Sequence, residues 1–188
     1  MAEVLSKLLE SFGGVEPGGS DRFTPMAEEQ LQSIENKLDV RLPGLYRHYL
    51  ATFGASTSKK LVEVRPVVTP PRQLTSNGRL PFATLYGIGK GDSDFYDLEG
   101  RLDTHAKLIP ENMIVIGDDG DRSMYLLEIR GSGAGKIFYW DADNDPLSEE
   151  DYLQEYGRPR PPEVVLQNVH LVAESFEDFL GRLEVVGD

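Results

Sequence analysis

The stretch SMYLLEIRGSGAGKIFYWDADND, Ser123 to Asp145, decides the fold class. Two runs rich in β-branched and aromatic residues, 123–129 and 136–140, flank the glycine-rich RGSGAG. Short runs of that kind, bounded by turn residues, predict strands, and the glycine turn predicts that the two pair as an antiparallel hairpin. The second run ends on the chain's only tryptophan, Trp140, and aspartates follow at alternate positions: Asp141, Asp143 and Asp145. Ahead of the first run, IGDDGD places Asp118, Asp119 and Asp121 in an Asp-Gly turn, where aspartate is favoured because its carboxylate bonds nearby amides. If the neighbouring strands bring the two loops together, these six aspartates form one acidic rim.

Working outward, further strands are predicted at 61–64, 80–88 and 113–116. The earlier part of the chain is helical. Val4, Leu5, Leu8, Leu9 and Phe12 recur at helical spacing over residues 2–12. GGVEPGGSD (13–21) reads as a linker. Thr24-Pro25 then supplies a capping hydroxyl and a first-turn proline for a helix running to about Asp39. Pro43 opens the next helix, which Gly54 closes. Later, Ser148 caps a short helix over SEEDYLQEY. Ser175, with Asp178 three residues on, starts a closing helix whose buried face is Phe176, Phe179, Leu180 and Leu183. VTPPRQLTSNG (68–78) and GRPRPPE (157–163) read as surface loops. The expectation is an α+β domain: a mostly antiparallel sheet with helices packed on one face. Residues 1–24 are read as an N-terminal helix and linker, and 25–188 as the domain.

Composition narrows the chemistry. There are 188 residues and no cysteine, so thiolate catalysis, cysteine-ligated zinc and disulfides are excluded. The net charge is −13. Residues 91–158 hold 6 Lys+Arg against 17 Asp+Glu, a net −11, whereas residues 1–90 hold 11 against 9. So acidic a segment is a poor match for phosphate and a good one for a basic protein. No apolar run reaches bilayer length, and the charged N-terminus lacks a leader pattern, so the expectation is a cytoplasmic protein that touches neither membrane nor nucleic acid directly.

The motifs that look chemical fail on spacing. Counted from Asp141, a calcium loop would need glycine at position six and glutamate at twelve; Pro146 and Tyr152 stand there. GSGAGK lacks the first glycine and the final hydroxyl of a phosphate-binding loop, with Arg130 and Ile137 in those places. YGIGKGDSD (86–94) opens no obvious helix. His48, His105 and His170 lie in unrelated contexts, and there is no nucleophile elbow. The residues give no catalytic site, metal site or cofactor. A carboxylate-pair hydrolase would need two carboxylates buried in a deep pocket with shifted pKa values.

Four stretches in order carry a family resemblance: IENKLDVRLPGLYRHYLATFG (34–54), LYGIGKGDSDFYDL (85–98), MIVIGDDGDRSMYLLEIRGSGAGKIFYWDAD (113–143) and VAESFEDFLGRL (172–183). Over roughly 25–184 they resemble the SUKH superfamily, also called the SMI/KNR family. The chain differs from a minimal member in its extra N-terminal helix and its Pro-rich segments near 66–72 and 158–162. The resemblance implies a non-enzymatic α+β domain. It further implies an immunity protein that neutralises a cognate bacterial toxin by contact, many such toxins being nucleases. The alternative is a regulatory scaffold like the family's cell-wall-synthesis regulators. The partner is expected to be a basic protein toxin. The expected contact residues are Asp118, Asp119, Asp121, Asp141, Asp143 and Asp145, and Trp140 is expected to end a strand and pack into the core.

Overall fold

The computed structural model describes residues 1–16, 23–75, 77–89, 95–106 and 108–187. The chain runs α1 (Ala2–Ser11), β1 (Phe23–Thr24), α2 (Glu28–Leu38), α3 (Gly44–Phe53), β2 (Ser56–Val64), β3 (Leu80–Leu85) and β4 (Ile88–Gly89). It continues through α4 (Leu98–His105), β5 (Met113–Asp118), β6 (Met124–Glu128), β7 (Ile137–Trp140), α5 (Glu149–Tyr156), β8 (Val169–Ala173), α6 (Phe176–Gly181) and β9 (Leu183–Val185). Seven strands make one antiparallel sheet in the order β8-β7-β6-β5-β3-β2-β9, and β1 pairs with β4 in a separate ribbon. This is the α+β architecture expected from the sequence. Among the described residues no helix is long and apolar enough to cross a membrane.

The hairpin forms as its residues dictate. Met124 lies opposite Trp140 and Leu127 opposite Ile137. Gly131 and Gly135 take positive φ in the turn, and the Gly135 amide donates to the Glu128 carbonyl at 2.7 Å. Trp140 is the last residue of β7 and is buried.

All six residues of β5 are buried, as are four of the five in β6. Successive side chains of a strand point to opposite faces, so both faces of the sheet are covered here. On one face Tyr125 meets Phe82, Tyr139 and Phe179 of α6, with ring centroids 5.8, 5.4 and 5.2 Å away. Met124 and its partner Trp140 turn to the other face, where Arg101 and His105 of α4 share a small cavity with them. Helices therefore flank the sheet on two sides, correcting the one-sided expectation.

Other differences have local causes. Helix α2 starts at Glu28 rather than after Pro25. Thr24 is drawn into the ribbon opposite Ile88, and the Gln30 side chain takes over capping by accepting from the Ala27 amide at 2.9 Å. Strand β2 begins five residues earlier than the apolar run LVEV suggested. Its polar start, STSKK, slips register against β3 between Thr57 and Val62. Segment 13–16 pairs there instead, with the Glu16 amide donating to the Thr57 carbonyl and the Lys59 amide to that of Gly14. Residues 17–21 of the expected linker, Ser76 of the 68–78 loop and 90–94 of YGIGKGDSD lie outside the described residues. Beyond 94, Asp97 caps α4 by accepting from the Gly100 amide, a helix that the sequence did not announce. Leu183, expected on the closing helix, belongs to β9, which pairs with β2. Gly117 stands where a Cβ would overlap the Thr84 carbonyl, so only glycine lets β5 approach β3 so closely.

One contiguous core joins these elements. Leu5, Leu9 and Phe12 of the first helical segment are buried in it, and α1 packs on α3 and α6. Glu35, buried between α2 and α3, accepts from the Leu42 amide at 3.0 Å and from Arg47 Nε at 3.3 Å, so the junction's one buried carboxylate has partners. The Arg130 guanidinium donates to the Leu38 carbonyl and so ties the hairpin turn to the end of α2. Truncating Phe12 to Ala is expected to lower unfolding free energy by about 3–5 kcal/mol in urea titrations. Leu61→Ala, at a side chain 71% exposed on neighbouring β2, is expected to stay within about 0.5 kcal/mol of the parent.

Candidate functional site

Pairing of β6 with β7 brings the turn before β6 beside the loop after β7. Ser123 Oγ accepts from the Ala142 amide at 3.2 Å. The Tyr139 hydroxyl donates to Asp119 Oδ2 at 2.8 Å. Arg122 Nη1 reaches Asp143 Oδ1 at 3.5 Å, an exposed pair of little energetic weight. The two aspartate groups singled out in the sequence are thus neighbours at one end of the hairpin.

The six carboxylates then divide by environment. Asp118 is buried and accepts from the Gly120 amide at 2.9 Å. Burial pushes its carboxyl above the ordinary range, against the pull of hydrogen bonds from the Tyr86 hydroxyl and the Gly120 amide. Asp119 is half-buried and also holds the Asp121 amide at 2.9 Å. Asp141 is only 2% exposed. It caps the short 3-10 turn Ala142–Asn144 by accepting from the Asp143 amide at 3.0 Å and from the Asn144 side chain. Asn168, beside β8, clamps its backbone: the Asp141 amide donates to the Asn168 carbonyl at 2.9 Å and Asn168 Nδ2 donates to the Asp141 carbonyl at 2.8 Å. Asp121, Asp143 and Asp145 point to solvent. Asp118 and Asp141 therefore build the loops, and the exposed three are what the loops display.

The displayed charge extends onto residues that were read only as a capped helix. Ser148 accepts from the Asp151 amide at 3.1 Å and starts α5, whose first turn carries Glu149, Glu150 and Asp151, all exposed. Acidic residues suit a helix N-terminus, so the same side chains satisfy the helix and enlarge the negative surface. The signal was the run SEED itself. The Asn168 clamp left no such signal, because it joins residues 27 positions apart.

Behind the exposed turn lies a cavity of about 260 Å³ lined by Tyr86, Arg101, His105, Asp118, Met124 and Trp140, among others. The Arg101 guanidinium stacks over Phe95, 3.6 Å from the ring centroid, and among the described residues neither its Nη2 nor Trp140 Nε1 has a hydrogen-bond partner. His105 Nδ1 sits 3.1 Å from the Arg101 carbonyl. The described lining has one buried carboxylate and no serine, threonine or lysine. Among the described residues no three His, Asp or Glu converge on a point where a metal would sit. What the arrangement supports is contact: a braced loop presenting carboxylates outward.

Two consequences are measurable. Asn168→Ala removes the side-chain half of a buried clamp and leaves the Asp141 carbonyl without its Nδ2 donor, so it is expected to cost about 1–3 kcal/mol in thermal or urea unfolding. Asp143→Asn and Asp145→Asn are expected to stay within about 0.5 kcal/mol. Burial lowers the pKa of His105, partly offset by its bond to the Arg101 carbonyl, and lowers that of His170, partly offset by the charge of Asp141. The unfolded chain therefore binds protons at these sites more readily than the folded one, so stability present above about pH 6.5 is lost as pH falls. The double variant His105→Asn/His170→Asn is expected to flatten that decline, whatever its own midpoint.

The sequence pattern of the SMI1 / KNR4 family (SUKH-1) matches residues 25–182. Comparison with curated proteins found no matching relative. The matched span holds the hairpin, both acidic loops and α6, and leaves out α1, β1 and β9. By a match over most of its length, the chain belongs to the SMI1/KNR4 family (SUKH-1).

Proposed function

We propose that this protein is an immunity factor, acting in the cytoplasm, that binds a cognate bacterial toxin and neutralises it by covering the toxin's active site or the surface beside it. Family membership supports a role in this class, whose members are generally non-enzymatic. The observation that carries the reading is the braced, outward-facing set Asp121, Asp143 and Asp145, continued by Glu149, Glu150 and Asp151 on α5. A toxin that works on nucleic acid presents a basic cleft. Carboxylates held in place by buried hydrogen bonds meet such a cleft with little ordering to do at the moment of binding. Like phosphate, they also attract it from a distance.

Co-expression with the product of the adjacent gene, followed by purification through a tag on this chain, tests the reading directly. A stoichiometric complex and loss of the toxin's activity are expected; a neighbour that is no toxin, or a toxin that passes through unbound, overturns the proposal. In such a complex, raising salt from about 0.05 to 0.5 M is expected to slow association by about tenfold or more, because the Debye length shortens several-fold. Asp121→Asn/Asp143→Asn/Asp145→Asn is expected to lower the association rate in the same direction while leaving the melting temperature unchanged. An association rate indifferent to both would show that these carboxylates do not steer the partner.

A further inference from the structure

A larger hollow, about 1000 Å³ in volume, adjoins the acidic loop. One wall is the stretch from Leu108 to Asn112 that leads into β5, the second is Asp145–Asp151, and the third is the 3-10 turn Pro162–Leu166. The third wall follows directly on the Pro-rich segment near 158–162. Arg160 Nη1 donates to the Leu147 carbonyl at 2.8 Å and ties that segment to the second wall. Inside the hollow, Leu108, Leu147 and Leu166 remain 44, 38 and 50% exposed, an unusual grouping of large apolar side chains on so charged a chain. Around it stand Glu111, Asp145, Glu149 and Asp151, all exposed. Among the described residues none of these four is in an ion pair, and Arg160 is the lining's single cation.

Leucines ringed by carboxylates outside any ion pair select their occupant by charge. A second copy of this chain, net −13, would bring like charges together. Nucleic acid and anionic lipid are repelled for the same reason. A neutral apolar molecule would leave the carboxylates unmatched. We propose that this hollow docks an amphipathic segment of a protein partner, with apolar side chains seated on Leu108, Leu147 and Leu166 and lysines or arginines facing Glu111, Asp145, Glu149 and Asp151. The proposal rests on the immunity reading for who the partner is, and adds where it is anchored. Steering and anchoring then belong to adjoining surfaces, with Asp145 common to both.

The probe is a short synthetic Leu/Lys amphipathic peptide, with a Leu/Glu peptide of the same pattern as control, titrated into the full-length methyl-labelled protein. The Leu/Lys peptide is expected to shift the methyl resonances of Leu108, Leu147, Val165 and Leu166, and the control to leave them in place. Two variants at exposed positions, Leu147→Asp/Leu166→Asp and Glu111→Lys/Glu149→Lys, are each expected to weaken binding by about tenfold or more, the first with the melting temperature unchanged and the second with at most a small drop, because Glu149 stands in the first turn of α5. Shifts that map elsewhere, equal binding of both peptides, or variants that bind as the parent does would overturn the assignment. So would self-association of the parent that Leu166→Asp abolishes, which would give the surface to a second copy. Where a toxin co-purifies, undiminished toxin affinity in both variants overturns the docking site and leaves the immunity reading standing. Where none does, the immunity reading falls and the peptide titration still judges the hollow.

Discussion

The register of β6 against β7 is the constraint on which the rest depends. With Met124 opposite Trp140 and Tyr125 opposite Tyr139, one pair of side chains faces α6 and the next faces α4. A slip of one residue would turn Trp140 towards the Phe82–Phe179 cluster and expel Tyr139 from it. It would also separate Ser123 from the Ala142 amide and Tyr139 from Asp119, the bonds that join the two acidic loops. Core and surface are thus fixed by the same alignment. Burial on both faces of β5 and β6 is what makes that alignment costly to lose.

The acidic loops show how a charged surface is made rigid. Carboxylates repel one another, and a loop carrying several would spread apart unless held. Here two of them, Asp118 and Asp141, are withdrawn from solvent and spent on backbone amides and side-chain donors. The cost of burying them is offset by those bonds, and by the Asn168 clamp that fixes the loop to the sheet edge. The remaining carboxylates are then displayed from a fixed frame. In a binding protein such division of labour matters because ordering a loop on contact would subtract from affinity.

Fold and proposed function meet in the segment from Asp141 to Leu166. It leaves the sheet at β7, caps itself, forms α5, passes through the Pro-rich loop and returns to the edge strand β8. Little of it enters the core. The whole excursion is held at its ends by Asp141 and Asn168, and in its middle by Arg160 on the Leu147 carbonyl.

The sequence by itself determined the elements whose signals are local. The hairpin followed from β-forming runs around a glycine turn, α3 from its apolar stripe between Pro43 and Gly54, and α5 and α6 from their serine caps. The acidity and the adjacency of the two aspartate groups were also legible, since pairing across a tight turn is a short-range event. Only the tertiary structure decided which aspartates are displayed. Asp118 and Asp141 look like their neighbours in the sequence, but their burial depends on Tyr86 and Asn168, which adjoin the distant strands β3 and β8. For the same reason α4 and β9 are not legible locally, because polar or very short segments take their structure from what they pack against. The hollow ringed by Leu108, Leu147 and Leu166 was equally invisible, because its three walls come from separate parts of the chain and no local pattern records their meeting.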